Sequence, residues 1–136
     1  MENFLADLLS KGGLSGMGLI VGRWVTVTPE QVLDKEIMLY CGSRNAICFH
    51  TNVGKIKFFD SKVGKERWFD TGLPKGWPDL LILTDNGKTF FCETKIHPRK
   101  PTIEQLNIIR NLTERGHLAF VCYSLDEFKE KTKNIL

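Results

Sequence analysis

Asp79, Glu93 and Lys95 are the residues whose types and spacing point to chemistry. They lie in "GWPDLLILTDNGKTFFCETK", residues 76–95. Asp79 heads one apolar run; Glu93 and Lys95 stand two apart at the end of the next. Both runs read as sheet, and a buried charge is costly unless it is paired or holds a metal. Strand side chains alternate faces, so Glu93 and Lys95 share one. Whether Asp79 joins them depends on the turn. A two-residue Asn86-Gly87 turn pairs positions summing to 173 and sets Asp79 against Thr94. A three-residue Asp85-Asn86-Gly87 loop pairs positions summing to 172 and sets Asp79 against Glu93. The second is a type I turn followed by a left-handed residue, a role Gly87 suits. It requires Thr84 to close on Lys88 and a positive φ at Gly87. Two carboxylates in that register, with Cβ atoms about 4.5–5.5 Å apart, repel unless a cation joins them. A hard divalent ion such as Mg²⁺ takes oxygen ligands of this kind. Lys95 beside it would position or deprotonate a water. The competing reading is an Asp79–Lys95 ion pair at a sheet edge, which leaves Glu93 unexplained.

The elements around these residues follow from local signals. Thr28, Pro29 and Gln31 form a capping box with proline at the first helical position, and Leu33, Ile37 and Tyr40 share a face before Gly42, a natural stop. "AICFH" (46–50) and "KIKFF" (55–59) read as a hairpin turning near Gly54, and residues 60–78 as a long loop. Consecutive apolar residues in "DLLILT" and "KTFFCETK" place these strands in the middle of a sheet covered on both faces. Thr102 with Gln105 caps a second helix running to about Gly116. "LAFVCY" (118–123) is a buried strand, and Ser124 with Glu127 caps a last helix. This order predicts an α/β sandwich around a mixed sheet. Residues 1–27 read as an N-terminal extension, a short amphipathic helix over "NFLADLLSK" and a Gly-rich flexible link, ahead of a domain over 28–136.

Composition narrows the class. The chain has 136 residues and a net charge of +3, which suits one soluble domain. Seven basic against three acidic residues lie between Arg44 and Lys75, interleaved with Phe58, Phe59, Trp68, Phe69 and Trp77. Such a stretch reads as a solvated loop face or a nucleic-acid surface. Cys41, Cys48, Cys92 and Cys122 lack paired CxxC spacing, which argues against zinc and for reduced thiols in a cytoplasmic setting. No apolar run approaches membrane-spanning length.

Pro78-Asp79 followed by Glu93-Thr94-Lys95 resembles the PD-(D/E)xK nuclease superfamily. More narrowly, "KGWPDLLIL…GKTFFCETK…PTIEQ" resembles the VRR-NUC (virus-type replication-repair nuclease) domain, over roughly residues 28–124. That family's G-x-PD, acid-x-Lys and later Gln fall here on Gly76, Asp79, Glu93, Lys95 and Gln105. The resemblance implies a restriction-endonuclease-like core, a central mixed sheet flanked by helices, and metal-dependent hydrolysis of phosphodiester bonds in DNA. Asp79 and Glu93 would hold Mg²⁺ or Mn²⁺, with the Thr94 carbonyl as a third oxygen. Lys95 would orient the water nucleophile, and Gln105 would touch that water or a phosphate besides capping its helix. The family's first helix also donates an acid. Glu30, ahead of Leu33, Ile37, Tyr40 and Gly42, fits that pattern better than Glu36. The family's Arg-Asn-Asn is replaced by His50-Thr51-Asn52, where His50 would reach the metal site or DNA or stay exposed. Stand-alone members resemble Holliday-junction resolvases and form homodimers. The implied substrate is therefore branched DNA, in a phage or other viral setting within the host cytoplasm. Lys55, Lys57, Lys75, Arg99 and Lys100 are the candidate phosphate contacts, and the 60–75 insert would supply a dimer face or stack on unpaired bases. A restriction-like enzyme without junction preference and a DNA-binding module without chemistry are the alternatives.

Overall fold

The computed structural model describes residues 17–20, 23–51 and 53–136. The helix expected over residues 3–11 lies outside them, as does Asn52. The described chain forms eight strands and three helices: β1 (Met17–Ile20), β2 (Arg23–Thr26), α1 (Pro29–Ser43), β3 (Ile47–His50), β4 (Lys55–Asp60), β5 (Lys65–Asp70), β6 (Leu80–Leu83), β7 (Thr89–Thr94), α2 (Ile103–Glu114), β8 (Leu118–Cys122) and α3 (Leu125–Thr132). No helix among the described residues is long and apolar enough to cross a membrane.

A mixed sheet of order β3-β6-β7-β8 sits at the centre. β3–β6 and β6–β7 are antiparallel, while β7–β8 is parallel. Alternation along the strands gives two faces. Leu80, Ile82, Phe90, Cys92, Phe120 and Cys122 pack with Leu33, Ile37 and Cys41 of α1 and Phe128 of α3. Phe91 and Ala119 pack on the other side with Leu112, Ile108 and Ile109 of α2. Both faces of β6 and β7 are thus covered, as their unbroken apolar sequence requires. The α/β sandwich read from the sequence is the architecture observed.

All three helix starts are capped as their sequences indicate. Thr28 Oγ1 accepts from the Gln31 N–H and Gln31 returns its Oε1 to the Thr28 N–H; Thr102 and Gln105 repeat the exchange. Ser124 Oγ accepts from the Glu127 N–H. α1 runs one residue past Gly42 to Ser43, and the left-handed residue that ends it is Asn45, with φ 56°.

Three expectations need correction. β3 does not turn back onto β4: its partner is β6, with His50 opposite Leu80. The chain leaves the sheet after His50, and β4 pairs with β5, Lys55 opposite Asp70 through Asp60 opposite Lys65. Residues 60–78 are therefore not one loop, because "KERWFD" is the return strand of a hairpin whose turn holds Gly64 at φ 63°. Its charges hid the strand pattern. The Gly-rich segment is likewise not wholly a link, since β1 and β2 pair antiparallel.

Candidate functional site

The β6–β7 turn takes the three-residue form. Leu80 faces Cys92, so paired positions sum to 172. The Thr84 N–H donates to the Lys88 carbonyl at 2.9 Å, and Gly87 has φ 81°. Continuing the ladder by one pair brings Asp79 opposite Glu93, at the sheet end where β3 departs. The Thr51 N–H donates to the Asp79 carbonyl at 2.9 Å there.

Glu93 is fully buried. Its Oε1 accepts from Lys95 Nζ at 2.6 Å and from the side-chain amide of Gln105. Its Oε2 is buried with no hydrogen-bond partner among the described residues. Burial lifts the Glu93 carboxyl to about 7, against the pull of Lys95 and with a further push from the Asp79 charge. Burial works against the Lys95 ammonium too, but the hydrogen bond and charge of Glu93 outweigh it, and the Lys95 pKa ends raised. Lys95 is thus held as a cation that donates to Glu93.

Gln105 does two jobs at the start of α2. Its Oε1 completes the capping box while its Nε2 donates to Glu93. The helix can approach this closely because Gly76 is a glycine. At φ 89° its backbone lies against α2, and a Cβ there would fall 2.6 Å from the Glu104 carbonyl carbon and 2.8 Å from the Gln105 nitrogen. Lys75 pairs with Glu104 at 2.8 Å on the same seam.

Asp79 is gripped by Thr94, whose N–H donates to Asp79 Oδ2 at 3.1 Å. Glu30 lies near enough for its charge to raise the Lys95 pKa. Its Oε2 pairs with Arg99 at 3.2 Å, and its Oε1 is buried without a partner among the described residues. Glu36 makes no ion pair or side-chain hydrogen bond found among the described residues, so Glu30 is the better placed of the two candidates.

One acid of the site was not read from the sequence. Asp34, one turn after Glu30 on α1, is only 6% exposed. Its Oδ1 accepts from the Thr94 hydroxyl at 2.5 Å, and its Oδ2 lies 3.7 Å from His50 Nδ1. Burial raises the Asp34 pKa, partly offset by the Thr94 hydrogen bond. The available signal was its place among core positions, with Leu33 before it and Ile37 and Cys41 three and seven residues on.

Three of the five candidate phosphate contacts are paired with acids. Lys57 pairs with Glu66 on the β4–β5 hairpin, Lys75 with Glu104 and Arg99 with Glu30, while Lys55 and Lys100 are exposed. Among the described residues no three His, Cys, Asp or Glu side chains form a ready-made ion cage. The oxygens are instead turned to Lys95, Gln105, Thr94 and Arg99. The four cysteines are free thiols, with Cys92 Sγ 3.5 Å from Cys122 Sγ.

No family model, curated protein or solved structure matches the chain.

Proposed function

We propose that the chain is a metal-dependent endonuclease acting on DNA, built on a PD-(D/E)xK core of the VRR-NUC kind. The observation that carries this reading is the buried Oε2 of Glu93 beside Asp79, which has no hydrogen-bond partner among the described residues, with a second such oxygen on Glu30. A buried carboxylate oxygen without a donor is costly; a proton relieves it, as the raised Glu93 pKa reflects, and a cation in the proton's place does the same. An all-oxygen set suits Mg²⁺ or Mn²⁺. Asp79, Glu93, the Thr94 carbonyl and Glu30 would hold the ion. Bound there, it supplies positive charge to the phosphate and makes a nearby water easier to ionise.

The chain's own residues do the rest. Lys95, anchored on Glu93, orients the attacking water and offsets negative charge developing on the phosphate. Its raised pKa keeps it protonated in that role. Gln105 fixes Glu93 Oε1, so that the second oxygen faces its ligand. The start of α2 adds N–H groups that favour a phosphate.

Branched DNA is the favoured substrate and a homodimer the favoured assembly, since two sites about a two-fold axis suit a four-way junction. The test is a panel of labelled four-way, flapped and linear DNAs incubated with Mg²⁺, Mn²⁺ or chelator. Metal-dependent cutting of the junction in preference to the linear duplex supports the full reading. Equal cutting of all substrates keeps the nuclease and drops the junction preference. Tight binding without cutting under either metal moves the chain to a DNA-binding module.

A further inference from the structure

Thr94 joins two acids that lie on different elements. Its hydroxyl sits 2.5 Å from Asp34 Oδ1 and 3.2 Å from Asp79 Oδ2, and its N–H sits 3.1 Å from Asp79 Oδ2. One hydroxyl has one proton to donate. The shorter contact takes it, so the hydroxyl serves Asp34 and the amide serves Asp79. The end of β7 is thereby tied to α1 through Asp34, and Asp79 is tied to the end of β7. Stability alone does not call for this arrangement, because a carboxylate at 6% exposure is expensive and an apolar pair would pack there without that cost.

We propose that Asp34 is a positioning residue: acting through Thr94, it fixes the Asp79 carboxylate so that Oδ2 is held by protein and Oδ1 is left for the cation. The proposal rests on the nuclease reading above. It also gives the central residue of Glu93-Thr94-Lys95 a task of its own, since a residue without a hydroxyl would leave Asp34 Oδ1 without that donor.

The test is a set of variants read by Mn²⁺ affinity, by metal-dependent cutting and by melting temperature. Asp34→Asn keeps an oxygen that accepts from the Thr94 hydroxyl, and Thr94→Ser keeps the hydroxyl. Both should weaken Mn²⁺ affinity less than the variants that break the bond. Asp34→Ala and Thr94→Val should each weaken it about 10- to 100-fold, the usual range for partners that orient a ligand. The double variant should be no worse than either single one, because both break the same connection. Loss in Asp34→Asn as deep as in Asp34→Ala, with Thr94→Val near wild type, would make Asp34 a ligand and overturn the proposal. Lower melting temperatures with Mn²⁺ affinity unchanged would reduce Asp34 to a structural role and also overturn it. Wild-type protein that neither binds Mn²⁺ nor cuts would instead remove the nuclease reading, and this inference with it.

Discussion

The molecule contains two antiparallel hairpins that solve opposite problems. β6–β7 is buried on both faces and carries charge at its end; β4–β5 carries large apolar side chains in water. Phe59, Trp68 and Phe69 on the second are 66%, 64% and 59% exposed, whereas Leu80, Ile82, Phe90 and Cys92 on the first are at most 1% exposed. Burial fixes register in the first, because a slip of one residue would exchange the side chains packed against α1 for those packed against α2. Nothing comparable fixes the second. Its order rests on the ladder and on cross-strand pairs such as Lys57 with Glu66 and Arg67 with Asp60, and a lone two-stranded ribbon is marginal in water. The proposed chemistry therefore falls on the rigid hairpin, and the exposed ribbon is free to adapt to what it meets. The base of the ribbon is closed by the Thr71 N–H, which donates to the Gly54 carbonyl at 3.0 Å.

The comparison can be broken or sharpened by substitution. The largest effect should come from Lys95→Ala, which removes the fixed cation and should lower metal-dependent cutting on the order of 10³-fold. Circular dichroism should show the fold unchanged. A small loss in rate would mean that the rigid hairpin does not hold the chemistry.

Next comes Gly76→Ala. The new methyl meets backbone at 2.6 Å in a left-handed conformation. It should cost roughly 3 kcal/mol in denaturant unfolding and weaken cutting by moving Gln105. An unfolding midpoint within error of wild type would show that the α2 seam gives way easily.

Third is a pH effect at Glu93. Its folded pKa of about 7 lies above the usual 4.5. A raised acid stabilises the fold fully below about 4.5 and loses that contribution as the pH rises through 7. Glu93→Gln should flatten this loss, so that its unfolding free energy changes less than wild type's between about pH 5 and pH 8. Parallel pH–stability curves for the two proteins would contradict the burial argument.

The smallest effect on stability should come from the ribbon. Trp68→Ser with Phe59→Ser should change unfolding free energy by no more than about 0.5 kcal/mol per site. If the ribbon stacks on unpaired bases, the same change should weaken binding to flapped DNA several-fold and leave linear duplex unaffected. Loss of a dimer in light scattering would assign the ribbon to a second copy of the chain instead.

Local chemistry in the sequence revealed much of the rigid region and little of the exposed one. The Asp85-Asn86-Gly87 turn set the β6–β7 register, and with it the meeting of Asp79 and Glu93, because turn type and pairing are coupled over a few residues. The helix starts at Thr28, Thr102 and Ser124 were legible for the same reason. The partner of β3 was not, since pairing with β6 spans the whole intervening ribbon and leaves no local mark. β5 was hidden because its charges and aromatics are grouped rather than alternating and neither of its faces is buried. Asp34 was missed because its role needs Thr94 brought beside it from sixty residues away.

The central claim is that the end of the β6–β7 hairpin is a cation site. It is tested most directly by titrating Mn²⁺ into wild type and Asp79→Asn by calorimetry at pH 8 and pH 6. The account predicts saturable binding by wild type at pH 8, weaker at pH 6 as Glu93 takes back its proton, and weakened at least about tenfold in the variant. Absence of binding by wild type, or equal binding by the two proteins, would contradict it and leave Glu93 and Lys95 as a buried ion pair.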